Sequence, residues 1–332
     1  MRDQGHRKGL YRLAVLAAVW GVILIKWGAV VTTENAGMAF PDWPLSNGSV
    51  NPEGWLEVWP LFLEHGHRIL GAGMGVLSIL LVAWAWFSKS SRLVLGLTIA
   101  ALAAVILQGV MGGIRVLRIS DGCAIFHGVF AQVFFCLLLL IVMATAPGWP
   151  EGNRLYPAER ISGLRGRTLL LLGAVGVQLF LGAGARHLHR TGLVATDYPT
   201  MNGAWLPSLE YPEVAFHFLH RWWAFAVLAA AVGCVEFLRR PGDERAFRRT
   251  AATALVLIVA QMLFGIGVVL MGTAESKNLW VTTLHVLNGL AVLAAAFVLC
   301  VQSMRAVPRG PLLAGSGETK RRDGKGVPEA AA

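Results

Sequence analysis

Residues 64–68 read Glu-His-Gly-His-Arg and stand at the mouth of the apolar run ILGAGMGVLSILLVAWAWF. A carboxylate can take up a proton, an imidazole can bind a metal or relay a proton, and a guanidinium can hold an anion through paired hydrogen bonds. All of these groups are costly to remove from water, so their clustering beside a hydrophobic segment points to use. The pair His67-Arg68 recurs as His220-Arg221, and two further histidines, His127 and His285, lie in apolar surroundings.

The elements that must carry these residues are set by composition. The chain has 332 residues, of which 55% are hydrophobic and 14% charged, with a mean hydropathy of +0.59. A soluble domain rarely has that balance; a polytopic membrane protein usually does. Crossing a bilayer takes about 20 mostly apolar residues. Eight runs qualify, at approximately 11–31, 68–87, 93–114, 123–146, 168–185, 214–237, 250–271 and 280–303. The expected fold class is therefore all-α and integral to the membrane, with eight transmembrane helices.

The net charge of +10 does not indicate nucleic acid, because the positive residues are segregated. They collect in the N-terminus, in the loops SKSSR, NRLYPAERISGLRGR and RRPGDERAFRR, and in the tail from MRAVPRG. The alternate loops carry most of the acids, Glu34, Asp42, Glu53, Glu57, Glu64, Asp197, Glu210 and Glu213. By the positive-inside rule both termini are cytoplasmic, the acidic loops 32–66 and 186–213 face outward, and the membrane is the cell (inner) membrane. Residues 305–332 read as a disordered cytoplasmic tail. Cys123, Cys136, Cys234 and Cys300 fall in apolar segments without metal-ligand spacing and read as helix-packing residues.

The sequence also repeats itself. AGMAFPDWPLSNG (36–48) lies over TGLVATDYPTMNG (191–203), matching Gly37 with Gly192, Asp42 with Asp197, Pro44 with Pro199 and Asn47-Gly48 with Asn202-Gly203. The register resumes in the membrane, with His67-Arg68 on His220-Arg221, Gln108 on Gln261, Gly112 on Gly265 and His127 on His285. Two four-helix units result, residues 8–147 and 165–304, joined by a cytoplasmic linker at 148–164. Four crossings per unit make both run in the same direction, so a pseudo-twofold axis along the membrane normal relates the two bundles.

All four histidines then open helices running from outside to inside, within a turn or two of the outer surface. A single one is as readily a packing residue or proton relay. Two per bundle at matching depth suit the axial ligands of a haem held edge-on between helices. A zinc or copper site would need co-ligands that the second unit lacks. The segments GAGMG, QGVMGG and FGIG allow a flat ring to approach closely, although small residues also serve ordinary helix packing. Arg68, Arg221, Arg115 and Arg186 are candidates for haem propionates, with snorkelling to the interface as the alternative.

The halves part company three residues before the first histidine, where unit one has Glu64 and unit two has His217. Glu64 and His67 share a face if the helix has begun by then. A carboxylate there could take protons or stabilise a developing cation, which makes the first pocket chemical and the second a cofactor store. A glutamate merely exposed in a first helical turn is the alternative. His65 is assigned to the loop.

On these residues the sequence resembles the haem A synthase family. The resemblance is carried by AGMAFPDWPLSNG, EHGHR, QGVMGG, FHG at 126–128, and HR and LH in the second half, and covers about residues 10–304. It implies oxidation of the C8 methyl group of haem O to a formyl group, by successive hydroxylation and loss of water. It further implies Glu64 as the catalytic glutamate, His67 and His127 flanking the substrate haem, and His220 and His285 ligating a haem b cofactor. Haem O synthase and an electron carrier are the implied partners besides lipid, nucleic acid is not one, and an oligomer stays open. Many bacterial members have a cysteine pair in the first outer loop; this chain has Phe40 and Ser46 there, which excludes a thiol–disulfide contribution. Two other readings fit the same histidines, a bis-histidine cytochrome b for electron transfer and a non-catalytic haem carrier or assembly factor. Glu64 and the loop motifs fit those less well.

Overall fold

A computed structural model of the chain describes residues 2–149, 154–188, 196–240, 245–272 and 278–308. Its helices are α1 Arg2–Thr33, α2 Trp59–Phe87, α3 Arg92–Arg118, α4 Asp121–Thr145, α5 Ala158–His187, α6 Pro212–Phe237, α7 Arg245–Leu270 and α8 Leu279–Met304. All eight are long and apolar enough to cross a hydrocarbon layer. The protein is thus a multi-pass membrane protein, in which helices satisfy their own backbone groups where lipid cannot.

Local chemistry explains where these helices start. Ser91, Ser120 and Asn278 accept hydrogen bonds from the amides of Val94 (3.3 Å), Cys123 (3.2 Å) and Val281 (3.2 Å), capping α3, α4 and α8. Pro60 and Pro212 lie in the first turns of α2 and α6, where a fixed φ favours the helix and no amide is wasted. Hydropathy alone starts α2 at 68 and α5 at 168. The structure starts them at Trp59 and Ala158, because polar first turns extend a helix beyond its hydrocarbon segment.

Helices α1 to α4 form a ring in which each packs on the next and α4 returns to α1; α5 to α8 form a second ring of the same order. The rings meet where α1 lies on α8, α4 on α5, and α4 on α8. Exchanging every helix for its repeat mate leaves that set of contacts unchanged. Each ring has its own core, around Leu81, Leu138 and Ile141 in the first and Leu171, Ala231 and Leu299 in the second. Cys136 of α4 packs in the second core and Leu290 of α8 in the first, so the two are interlocked. Outward residues such as Leu16, Val76, Leu170 and Leu263 form the lipid-facing surface.

At the end of the bundle that carries the linker, strand β1 (Arg154–Tyr156) pairs in parallel with β2 (Ala306–Pro308). Arg165 donates to the carbonyls of Ser303 (3.4 Å), Met304 (3.2 Å) and Ala306 (3.0 Å), which end α8. The guanidinium of Arg305 lies over the Trp149 ring, 3.7 Å from its centroid, and donates to the Trp149 carbonyl. This corrects the expected tail: order continues past residue 305 to Pro308, because arginine donors and a short ladder satisfy its backbone. The remainder of the tail lies outside the described residues.

At the opposite end, the loops before α2 and α6 share one turn. Asp42 accepts from the amides of Asn47 and Gly48, both at 2.7 Å. Asp197 accepts from those of Asn202 (2.8 Å) and Gly203 (3.0 Å) and from the Thr200 hydroxyl (2.7 Å). Both Asn-Gly pairs adopt positive φ, 50° and 72° in the first loop and 55° and 78° in the second, which these two residue types tolerate best. A bridge closes each turn, Ser46 with Ser49 and Met201 with Ala204, and a cis proline sits at Pro44 and at Pro199.

Hydrogen bonds from the Gly203 amide, the Thr200 hydroxyl and the Asn202 amide hold the Asp197 carboxyl at about 2, below its ordinary 3.8. A depressed folded-state pKa stabilises above the unfolded value and is lost as pH falls through the folded one. Relative to the intrinsic amide rate at each pH, hydrogen exchange in the 196–204 turn should therefore rise as pH drops from about 4 towards 2. Asp197→Asn should show that faster exchange already at neutral pH. Equal protection in both proteins across the range would mean that the turn is held by something else.

Candidate functional site

The four histidines stand at paired depths. His67 and His220 each come eight residues after the first residue of their helices, Trp59 and Pro212, and His127 and His285 each six after Asp121 and Leu279. At 1.5 Å per residue this is about 12 Å and about 9 Å into the helix. The His220 and His285 rings lie 6.3 Å apart between centroids with their planes at 76°.

Every one of these imidazoles abuts a glycine on the preceding helix. A Cβ added at Gly28 of α1 would stand 3.0 Å from His67 Cε1; at Gly112 of α3, 3.2 Å from His127 Cε1. In the second ring the figures are 2.7 Å for Gly182 of α5 against His220 and 3.2 Å for Gly265 of α7 against His285. The Nδ1 atoms of His67, His127 and His285 are buried without a hydrogen-bond partner. His220 Nδ1 lies 3.2 Å from the Gln178 carbonyl, whose side chain donates back to the His220 carbonyl at 3.0 Å. His285 Nε2 faces Gln261 Nε2 at 3.2 Å, and Asn288 holds the Gln261 carbonyl oxygen at 2.8 Å. In the first ring Gln108 donates to the His127 backbone carbonyl at 2.8 Å and leaves both ring nitrogens alone.

These donors suit a particular kind of metal. The described residues contain no group of three or more His, Cys, Asp or Glu side chains able to hold an ion by themselves. Two half-buried histidines per ring, three of the four with an unpartnered Nδ1 among the described residues, instead fit iron that brings its own four equatorial ligands, as in a porphyrin. The glycine walls leave the rings no polar competitor on that side.

Above the first ring, Glu64 and Arg68 clamp the outer loop. Glu64 is only 4% exposed. One carboxylate oxygen accepts from Arg68 Nη2 at 2.6 Å and the other from the Phe40 amide at 3.0 Å. Arg68 Nη1 donates to the carbonyls of Asp42 (2.9 Å) and Leu45 and to the Ser46 hydroxyl (3.3 Å). His65 is not a loop residue: it lies within α2, 5% exposed, with Nδ1 3.0 Å from Ser46 Oγ and its ring edge-on to Trp55. Trp43 lies so close on α3 that a Cβ at Gly113 would meet its ring at 2.5 Å, one residue from the glycine that walls His127. Residues 36–48 therefore cover the end of this ring away from the linker.

The second ring repeats the clamp without the carboxylate. Arg221 Nη1 donates to the carbonyls of Asp197 (3.0 Å) and Thr200 (2.8 Å), and its Nε donates to His217 Nε2 at 3.2 Å. That last bond needs a neutral imidazole with an available lone pair.

Of the four arginines singled out by sequence, Arg68 and Arg221 thus hold loops. Arg186 ties α5 to α1 across the units, through the Ala29 carbonyl (2.7 Å) and the Thr33 hydroxyl (2.9 Å). Arg115 rests on Gly37 and makes no hydrogen bond among the described residues, and its charge acts on both His67 and His127. Sequence reasoning missed Gly28, Gly182 and the part played by His65. Pro60, read as a helix start, would have moved His65 out of the loop.

Residues 55–297 match the cytochrome oxidase assembly protein family, COX15-CtaA. The chain is 30% identical over 287 residues to the heme A synthase of Halalkalibacterium halodurans, covering 85% of this chain and 92% of that protein. It is 28% identical over 305 residues to that of Shouchella clausii, covering 90% and 97%. It is 30% identical over 250 residues to that of Symbiobacterium thermophilum, covering 74% and 80%.

Glu64→Ala would strip the Phe40 amide of its acceptor and Arg68 of its counter-charge. Leaving such groups unpaired costs about 1–3 kcal/mol, or about 5- to 160-fold faster amide exchange in residues 36–48. The 196–208 loop should not respond. Exchange that is unchanged at 36–48, or raised equally in both loops, would contradict the clamp.

Proposed function

We propose that this chain, which belongs to the cytochrome oxidase assembly protein family COX15-CtaA, is a haem A synthase of the cell's inner membrane. On this reading it is an oxidoreductase that converts the C8 methyl group of haem O to a formyl group. The observation that carries the reading is the difference between two otherwise matched rings. Both have paired histidines against glycine walls and an arginine-clamped loop, yet only one has a carboxylate beside its ligands.

The first ring, within residues 8–147, is the reaction chamber. His67 and His127 flank the substrate haem O and hold its ring below the loop that covers them. Arg115, with its donors uncommitted, is suited to an anionic propionate. Oxidising a methyl group releases protons, and Glu64 is the one carboxylate on α2 to take them. Its partners Arg68 and the Phe40 amide keep the acceptor oxygens oriented. The covering loop keeps bulk water from the reacting edge.

The second ring, within residues 165–304, holds the resident cofactor, haem b, through His220 and His285. When bound, it supplies a one-electron redox couple. Here the Gln178 carbonyl reaches His220 Nδ1, a contact that orients the imidazole while leaving Nε2 for the iron, as suits a group that stays. In the first ring the histidines carry no such contact, as suits a substrate that enters and leaves. Both termini and the linker 148–164 belong to the cytoplasmic side, with residues 32–66 and 186–213 outside. The product would pass to a terminal oxidase.

The test is co-expression with an enzyme that makes haem O, followed by haem extraction, chromatography and mass determination. Wild-type chain should yield haem A. Glu64→Ala should lower that yield about 100-fold or more while the protein still takes up haem O. His220→Ala or His285→Ala, purified without haem O, should lose haem b. Haems B and O alone from intact wild-type protein would sink the synthase reading, and full haem b in both histidine variants would sink the assignment of the second ring.

A further inference from the structure

Each of the four imidazoles lies in close contact with a glycine of the preceding helix. Many glycines on these helices, among them Gly71 and Gly75 of α2 and Gly173 and Gly176 of α5, would meet nothing within 4 Å if given a Cβ. Gly28, Gly112, Gly182 and Gly265 instead meet an imidazole, and in each case the nearest atom is Cε1. The second ring atom is informative. At Gly182, Nδ1 is at 3.1 Å and Nε2 at 3.5 Å; at Gly28 the two are level at 3.6 Å. At Gly112 and Gly265, Nδ1 lies at 3.6 and 3.7 Å and Nε2 falls beyond 4 Å. In no case does Nε2 stand nearer the wall than Nδ1. The buried Nδ1 atoms of His67, His127 and His285 have no partner among the described residues, and of these three rings only that of His285 is reached otherwise, at Nε2 by Gln261 at 3.2 Å. For His67 and His127 the wall is what fixes the ring.

We propose that Gly28, Gly112, Gly182 and Gly265 are positioning residues that hold the four imidazoles edge-on to the preceding helix, so that Nε2 is the nitrogen offered to iron. The proposal rests on the haem reading above and adds to it the residues that set ligand orientation. Any side chain at these positions would push the ring about its Cβ–Cγ bond, because the atom it meets belongs to a stiff ring close to its backbone. The effect should be graded. Gly182, at 2.7 Å, is the tightest and its histidine is also tied to the Gln178 carbonyl, whereas Gly265, at 3.2 Å, leaves room for a few tenths of an ångström of give.

The experiment uses the full chain, purified without haem O and assayed for haem b content, low-spin electron paramagnetic resonance and midpoint potential. Gly182→Ala should cut haem b affinity about 10-fold or more, the usual scale for a residue that orients a metal ligand. Gly265→Ala should keep the haem but shift the g values that report the mutual angle of the axial rings. Gly176→Ala, one and a half turns from Gly182 on the same helix and with open space, should match wild type in all three readouts. A merely structural glycine would alter stability without moving the g values of the protein that remains loaded. Should Gly182→Ala fail to accumulate, Gly265→Ala decides the matter alone. Wild type that takes up no haem b would overturn the cofactor reading. Loaded wild type with both variants spectrally and quantitatively identical to it would overturn the glycine walls while leaving that reading intact.

Discussion

Hydrocarbon offers no hydrogen-bond partner to a polar side chain, so whatever is buried near the outer ends of these helices must be served by another helix or by the loop above. Glu64 meets that demand on both sides at once. It neutralises Arg68 within α2 and takes the Phe40 amide from the loop, and Arg68 in turn spends its remaining donors on carbonyls of the same loop. Remove the carboxylate and the buried Phe40 amide loses its acceptor and the half-buried Arg68 its counter-charge, so that only the Arg68 contacts to the loop's own oxygens still seat the loop. The closure of the first ring and the presence of its acid are therefore one interaction.

The second ring answers the same demand with a neutral group. Arg221 still holds its loop through two carbonyls, and His217 accepts from its Nε in place of a carboxylate. A neutral acceptor keeps the geometry while withdrawing the ability to receive a proton at that position as an anion. The two halves thus share a scaffold and differ in charge at one site. Their histidines differ in another way, with polar contacts reaching ring nitrogens only in the second half.

Much of this was legible in the sequence because it repeats. Eight apolar runs predict the eight helices, and Asp42 with Asn47-Gly48 announces a turn that Asp197 with Asn202-Gly203 adopts again. The four histidines and Glu64 could be picked out because ionisable residues are conspicuous against an apolar background. What hydropathy could not see was the polar first turn of α2, so His65 was expected in a loop when it is buried against Ser46 and Trp55. Nor could it see the pairing of Arg154–Tyr156 with Ala306–Pro308, since three-residue strands with partners about 150 residues apart leave no periodic trace. Gly28 and Gly182 were equally silent. A glycine that walls a histidine has the same letter as one that faces lipid, and only the neighbouring helix distinguishes them.

The interface between the rings has a further meaning. α1 on α8 is the mate of α5 on α4, and α4 on α8 is its own mate. A surface that meets its own counterpart under exchange is what joins two identical subunits about a twofold axis. A single four-helix ancestor could have dimerised through this same surface, with two equivalent pockets and no means of assigning them different duties. Fusion into one chain removes that restriction, because a substitution can then fall in one copy and spare the other. The Glu64 and His217 positions record that freedom: what symmetry would have kept equal, covalent linkage allowed to diverge.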